Sequence, residues 1–199
     1  MGKEKYLKKI EELFEKSPVV SFLSIAKIVK DKRNSNKYPK QLVRNLILKG
    51  KIKKITKGYY TAHEDPSLAV FCFKPSYLGL QDALSFHDLW EQETIPVIIT
   101  TKKVRQGIRR ILGINVLIKR IDKKYFFGYN YYKQGNFYLP YSDIEKTFID
   151  MIYFKEKLSE EALKNILEKI NKKKLNSYLK IYPKRIKKIV LKIVNNKKI

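Results

Sequence analysis

Apolar positions in the first part of the chain recur with a helical period and then switch to a strand period. Leu7, Ile10, Leu13 and Phe14 stand at i, i+3, i+6 and i+7, which predicts a helix over residues 4–16 that Ser17-Pro18 ends. Val19 and Val20 allow a short extended link. Ser21 is then placed to cap a second helix carrying Phe22, Leu23, Ile25, Ala26, Ile28 and Val29. Asp31 to Asn36 contains no apolar residue and reads as a loop. Pro39 suits the first turn of a third helix running through Lys49. Its inward positions are Leu42, Val43, Leu46 and Ile47, its outward positions Lys37, Lys40, Gln41, Arg44 and Asn45, and Gly50 stops it. Lys51 to Ile55 and Tyr59 to Ala62 are strand-like, and Gly58 in the link between them supplies a positive-φ turn position.

Three helices followed by a basic hairpin is the order of a winged helix-turn-helix, so residues 1–62 are expected to form a DNA-binding domain. A helix fits the major groove and a hairpin beside it reaches flanking phosphates. On that geometry Lys40, Gln41, Arg44 and Asn45 are base-edge candidates, because Gln and Asn pair bidentately with adenine and Arg with guanine. Lys37, Lys51, Lys53, Lys54 and Lys57 suit phosphates, which position a protein without reading sequence. The competing explanations are a merely solvated face and a module that docks a protein. Of Tyr59 and Tyr60, which alternate along the second strand, one is expected in the core and the other as a contact to the DNA backbone.

Beyond residue 62 the pattern is mixed. A helix is expected over Ser67 to Phe73 and another over Gln81 to Leu89, with strands at Ile95 to Thr101, Ile114 to Ile121 and Tyr125 to Tyr132. Tyr131 to Tyr138 resembles a hairpin corner, Ser142 is placed to cap a helix bearing Ile144, Phe148, Ile149 and Ile152, and Ser159 to Asn196 reads as a lysine-rich helical tail. The expected class is therefore α+β: an N-terminal winged helix-turn-helix, then a mixed α/β domain over residues 63–199 with a helical C-terminal tail.

Charge sharpens this picture. The 199 residues carry a formal charge of +25, distributed as +12 over residues 1–62, +2 over 63–154 and +11 over 155–199. Two basic ends around a near-neutral centre suggest two surfaces facing a polyanion, with nucleic acid as the leading partner class. The single cysteine, Cys72, lies in an apolar run and is expected in a reduced, cytoplasmic setting, and no stretch has the length of a membrane span.

The run Pro75 to Leu89, then Ile95 to Thr101, Phe127-Gly128-Tyr129 and Ser142 to Asp150 resembles the abortive-infection AbiE-type (AbiEi) antitoxins. The resemblance covers roughly residues 20–180, and it departs at Asp82 and Asp88, where the family typically shows Ser and Gly. It implies a non-enzymatic antitoxin of a type IV toxin-antitoxin system that represses its own operon at inverted repeats. It also implies a nucleotidyltransferase-like toxin, opposed without a stable complex, and a C-terminal domain that shares in both tasks. Lys172, Lys173 and Lys174 are the expected antitoxin surface, on a monomer or weak dimer.

Other chemistry finds little support. The glycines are scattered singly, so no phosphate-binding loop is present, and His63 and His87 lack the partners of a zinc site; no cofactor and no metal are expected. His87 and Glu91 share an i, i+4 spacing that reads as a local polar contact. Asp143, Glu145 and Asp150 could imitate a metal-binding set, but are better explained as a first-turn acid and partners in structural pairs. The functional alternatives are a stand-alone winged-helix transcription factor and a protein that binds structured RNA.

Overall fold

The computed structural model describes residues 2–29, 37–135 and 137–195. The chain divides into two compact units, residues 1–72 with 110–114, and residues 73–109 with 115–199. The loop expected at Asp31 to Asn36 lies outside the described residues, as do Asn136 at the hairpin corner and Asn196 at the end of the tail.

In the first unit the helical periodicity becomes α1 (Gly2–Lys16), α2 (Phe22–Ile28) and α3 (Lys37–Leu48), and the strands are β1 (Val20–Ser21), β2 (Lys53–Thr56) and β3 (Tyr59–Thr61). The strands form an antiparallel sheet in the order β1-β3-β2. Ser21 caps α2 as its position requires, its hydroxyl accepting from the Ser24 amide at 3.0 Å. The core joins Ile10 and Phe14 of α1, Val20, Ile25 and Val29, Leu42, Val43 and Leu46 of α3, and Ile52. Ile47 was expected to face inward but is 38% exposed. Each helical residue rotates the side chain by roughly 100°, which carries Ile47 from the buried row at Leu46 out to its border. Gly50 ends α3 with φ +68°, while the amides of Lys51 and Gly50 donate to Leu46 and Ile47, each at 3.0 Å. The segment expected as a helix over Ser67 to Phe73 is a 3-10 helix, Pro66–Cys72, that packs on β2 and buries Leu68, Ala69, Val70 and Cys72.

A mixed six-stranded sheet is built from residues 76–142, nearly all of them in the second unit, with residues 110–114 falling in the first. Its strands are β4 (Ser76–Leu78), β5 (Val97–Thr100), β6 (Gly107–Ile111), β7 (Ile114–Arg120), β8 (Tyr129–Gln134) and β9 (Phe137–Ser142), in the order β6-β7-β5-β4-β9-β8. The pairs β5–β7 and β4–β9 are parallel, whereas β4–β5 and β8–β9 are antiparallel. Every residue of β5 is buried, as the unbroken apolar run Val97-Ile98-Ile99 requires of a central strand. The helices are α4 (Gln81–Phe86), α5 (Ile144–Tyr153), α6 (Glu160–Lys169), α7 (Lys172–Leu179) and α8 (Lys184–Asn195). Together the two units make an α+β protein.

Several expectations are corrected by local geometry. The strand expected from Tyr125 starts at Tyr129, because Asp122 caps a 3-10 turn, Lys123–Tyr125, and Gly128 turns the chain at φ +71°. The helix expected to reach Leu89 stops at Phe86. Asp88 adopts φ +53° there, with Asp88 N–H donating to Ser85 at 3.1 Å and Leu89 N–H to Leu84 at 2.9 Å, a Schellman ending whose left-handed position favours Gly and tolerates Asp. Ser142 does not cap α5: it is the last residue of β9, and Asp143 is the cap, accepting from the Lys146 amide at 2.8 Å.

A buried polar network ties the sheet to the C-terminal helices. Lys146 and Asp150, one turn apart on α5, are ion-paired at 0% exposure. Tyr77 of β4 donates to Asp150 Oδ2 at 2.6 Å, and Lys146 Nζ donates to the hydroxyl of Tyr182 at 2.9 Å. The rings of Tyr77, Phe127 and Tyr182 surround the Lys146 ammonium at 5.4, 5.5 and 5.7 Å. Burial pulls the Lys146 pKa down and pushes that of Asp150 up, and in each case the partner's charge opposes the shift. Gly128 closes the site from the side, since a Cβ there would stand 2.9 Å from both Lys146 Cβ and Tyr178 Cε2. Gly128→Ala is therefore expected to destabilise the second unit by at least the ~1–2 kcal/mol of a left-handed non-glycine residue, with the clash added. Urea unfolding checks this; a midpoint equal to wild type would refute it.

Candidate nucleic-acid interface

The first unit concentrates cations where carboxylates are missing. From Lys37 to His63 the sequence holds eight Lys and Arg residues and no Asp or Glu. Helical spacing turns Leu42, Val43 and Leu46 into the core and leaves Lys37, Lys40, Gln41, Arg44 and Asn45 on the exposed side of α3. Gln41 and Asn45 lie one turn apart, with the Gln41 amide nitrogen 3.5 Å from the Asn45 carbonyl oxygen. Lys49, which the outward pattern of the third helix did not include, is also exposed just before Gly50. Its adjacency to the helix stop was the available signal.

The hairpin cations fall into two classes. Lys51 Nζ is 2.6 Å from Glu11 Oε1 of α1, and Lys53 pairs with Glu64. The hydrogen bond and charge of Lys53 hold the Glu64 carboxyl below its ordinary pKa. Lys54 and Lys57 are exposed and, like Lys40 and Arg44, have no ion-pair partner among the described residues. A register irregularity between Lys54 and Thr56 buries Ile55, and the turn at Gly58, φ +79°, is fixed by Phe22 N–H donating to its carbonyl at 2.8 Å. Tyr59 and Tyr60 are both half-buried, so neither is a fully buried core ring. Tyr60 packs against the core cluster.

The C-terminal candidates also separate. Lys172 and Lys173 are exposed, but Lys174 is half-buried and bonds Asp143 and Glu145 at 3.1 Å each, both carboxylates being 6% exposed. Partial burial pulls the Lys174 ammonium down. The hydrogen bonds and charges of the two acids outweigh that and hold its pKa above the ordinary value. Lys174 thus fastens α7 to the start of α5 and leaves the expected three-lysine surface with two members. Beyond it, α8 carries Lys184, Arg185, Lys187, Lys188 and Lys192 on exposed positions and no acid.

The remaining polar candidates have structural partners. Glu145 accepts from the Asn171 amide at 2.7 Å, and Asp143 Oδ2 accepts from the Tyr178 hydroxyl at 2.8 Å. With Asp150 in the buried network, none of the three acids faces an open site. The His87–Glu91 spacing is not helical, because α4 ends at Phe86; His87 Nε2 instead lies 2.7 Å from the Ser142 carbonyl oxygen. Among the described residues no cluster of His, Cys, Asp or Glu could hold a metal, and no helix is long and apolar enough to cross a membrane.

No family model matches the chain, and no curated protein matches it. Among solved structures it is similar to the crystal structure of the RV2827C protein from Mycobacterium tuberculosis, with a TM-score of 0.59 and 12% identity, covering 96% of this chain and 76% of that one. At that identity the likeness concerns the fold.

Proposed function

We propose that the chain is a DNA-binding antitoxin and transcriptional autorepressor of a type IV toxin-antitoxin operon, with its first unit acting as a winged helix on duplex DNA. The observation that carries the DNA-binding half is the carboxylate-free run from Lys37 to His63, whose polar side chains lie on the exposed side of α3 and along β2–β3. In this reading Arg44, Gln41, Lys40 and Asn45 meet base edges, while Lys37, Lys54 and Lys57 hold phosphates. Lys51 and Lys53 join them only by leaving Glu11 and Glu64. The antitoxin half rests on the family resemblance. At the two positions that depart from the family pattern, Asp88 occupies a left-handed turn where Gly is favoured, and Asp82 accepts from the Val97 amide at 3.1 Å.

The test is fluorescence anisotropy on duplex DNA from upstream of the chain's own reading frame. Arg44→Ala and Gln41→Ala are each expected to weaken the preferred site by about 1–3 kcal/mol and to relax sequence preference. Equal losses on random and preferred duplexes would move those residues to the phosphate backbone. Co-expression with the product of a neighbouring nucleotidyltransferase-like gene tests the antitoxin half separately. Growth should be restored by the wild-type chain and less well by Lys172→Glu/Lys173→Glu. Growth arrest with the wild type would refute that half alone.

A further inference from the structure

The β8–β9 hairpin has one anchored face and one open face. Antiparallel partners share a face, so Tyr129, Tyr131 and Lys133 of β8 lie on the same side as Ser142, Pro140 and Tyr138 of β9. On the opposite side Tyr141 stacks on Phe86 of α4 at 4.0 Å, and Tyr132 packs edge-on against His87, which holds the ribbon to the body of the unit. Near its base the open side is also covered, since Tyr129 stacks on Tyr77 at 5.4 Å. Farther out the covering ends. The register Leu78 to Tyr141 places Phe137 and Tyr138 beyond Ser76, where β4 begins, so the distal ribbon has two strands only.

That distal open face presents Tyr131 at 57% exposure and Tyr138 at 60%, with Lys133 directly opposite Tyr138. Tyr138 is the diagonal cross-strand neighbour of Tyr131, so the two rings are spaced as successive platforms. Lys133 and Tyr138 have no side-chain partner among the described residues, and the sequence from Tyr129 to Ser142 contains one cation and no acid. Solvent-facing rings interleaved with a free ammonium, on a chain of formal charge +25, match the chemistry of flat bases joined by phosphates. A duplex keeps its base faces stacked inside; a single strand offers them.

We propose that the distal β8–β9 ribbon binds single-stranded nucleic acid, with successive bases stacking on Tyr131 and Tyr138 and Lys133 holding the phosphate between them. The site is separate from the α3 and β2–β3 candidates and does not rest on the duplex-binding reading. The experiment titrates the full chain and its variants against fluorescently labelled oligo(dT), oligo(U) and a random duplex. Tyr131→Ala and Tyr138→Ala are each expected to weaken single-strand binding by about tenfold, and Tyr→Phe at either position to retain it. The salt slope should be unchanged by ring removal, whereas Lys133→Ala should lower it by about 0.7. Duplex affinity and melting temperature should be unchanged in the double Tyr→Ala variant, since both rings are exposed. Tighter binding to either oligonucleotide than to the duplex supports the site. Undetectable single-strand binding by the wild type, wild-type affinity in the double Tyr→Ala variant, or an equal loss on duplex and single strand would overturn the proposal.

Discussion

Asp150→Ala is expected to destabilise the second unit by about 3–5 kcal/mol, because it leaves the Lys146 ammonium fully buried without its counter-charge. The same change removes the acceptor of the Tyr77 hydroxyl, so a second buried polar group loses its partner. Tyr77→Phe removes a single donor and is expected to cost less, about 1–3 kcal/mol. The revealing comparison is a double variant. Lys146→Met with Asp150→Leu replaces both charges by apolar groups and should be less destabilised than the sum of its single changes, since neither charge is then stranded. Equilibrium urea unfolding followed by circular dichroism gives the values for Asp150→Ala, Tyr77→Phe, Lys146→Met, Asp150→Leu and the double variant. An Asp150→Ala loss below about 1 kcal/mol would show that Lys146 finds water or another acceptor, and the network would then be incidental to the fold.

The second large effect is on duplex binding and its response to salt. Each phosphate neutralised contributes roughly 0.9 to the slope of log affinity against log salt. Lys54→Ala/Lys57→Ala removes two exposed cations that have no acidic partner among the described residues and is expected to lower that slope by about two. It should weaken every duplex, whatever its sequence. Lys51→Ala/Lys53→Ala removes the same formal charge, but those ammonium groups are already matched by Glu11 and Glu64, so their effect on the slope should be smaller. Anisotropy titrations at several salt concentrations measure both. Equal slopes for the wild type and the Lys54/Lys57 variant would remove the hairpin from the interface. Equal drops in the two double variants would mean that Lys51 and Lys53 abandon their carboxylates on binding.

The sequence by itself determined the elements whose causes are local. Apolar spacing set the three N-terminal helices, Ser21 capped the second, and Gly50 and Gly58 marked turns that their positive φ angles require. The same spacing set which side of α3 faces solvent, apart from Ile47 at the border. Tertiary structure decided whatever depends on a distant partner. β4 was not legible as a strand, because a strand of three residues is made by the neighbours it pairs with, here β5 and β9 from farther along the chain. Lys172 to Lys174 looked uniform in sequence, yet Lys174 is held by two carboxylates, because only the packed fold brings Asp143 and Glu145 within reach of it. Lys51 and Lys54 likewise differ through an approach across 40 residues, which puts Glu11 within reach of one and leaves the other to solvent. Periodicity reports the side of an element on which a charge stands. What that charge meets depends on which other elements the core has drawn alongside, and that is a property of the folded chain.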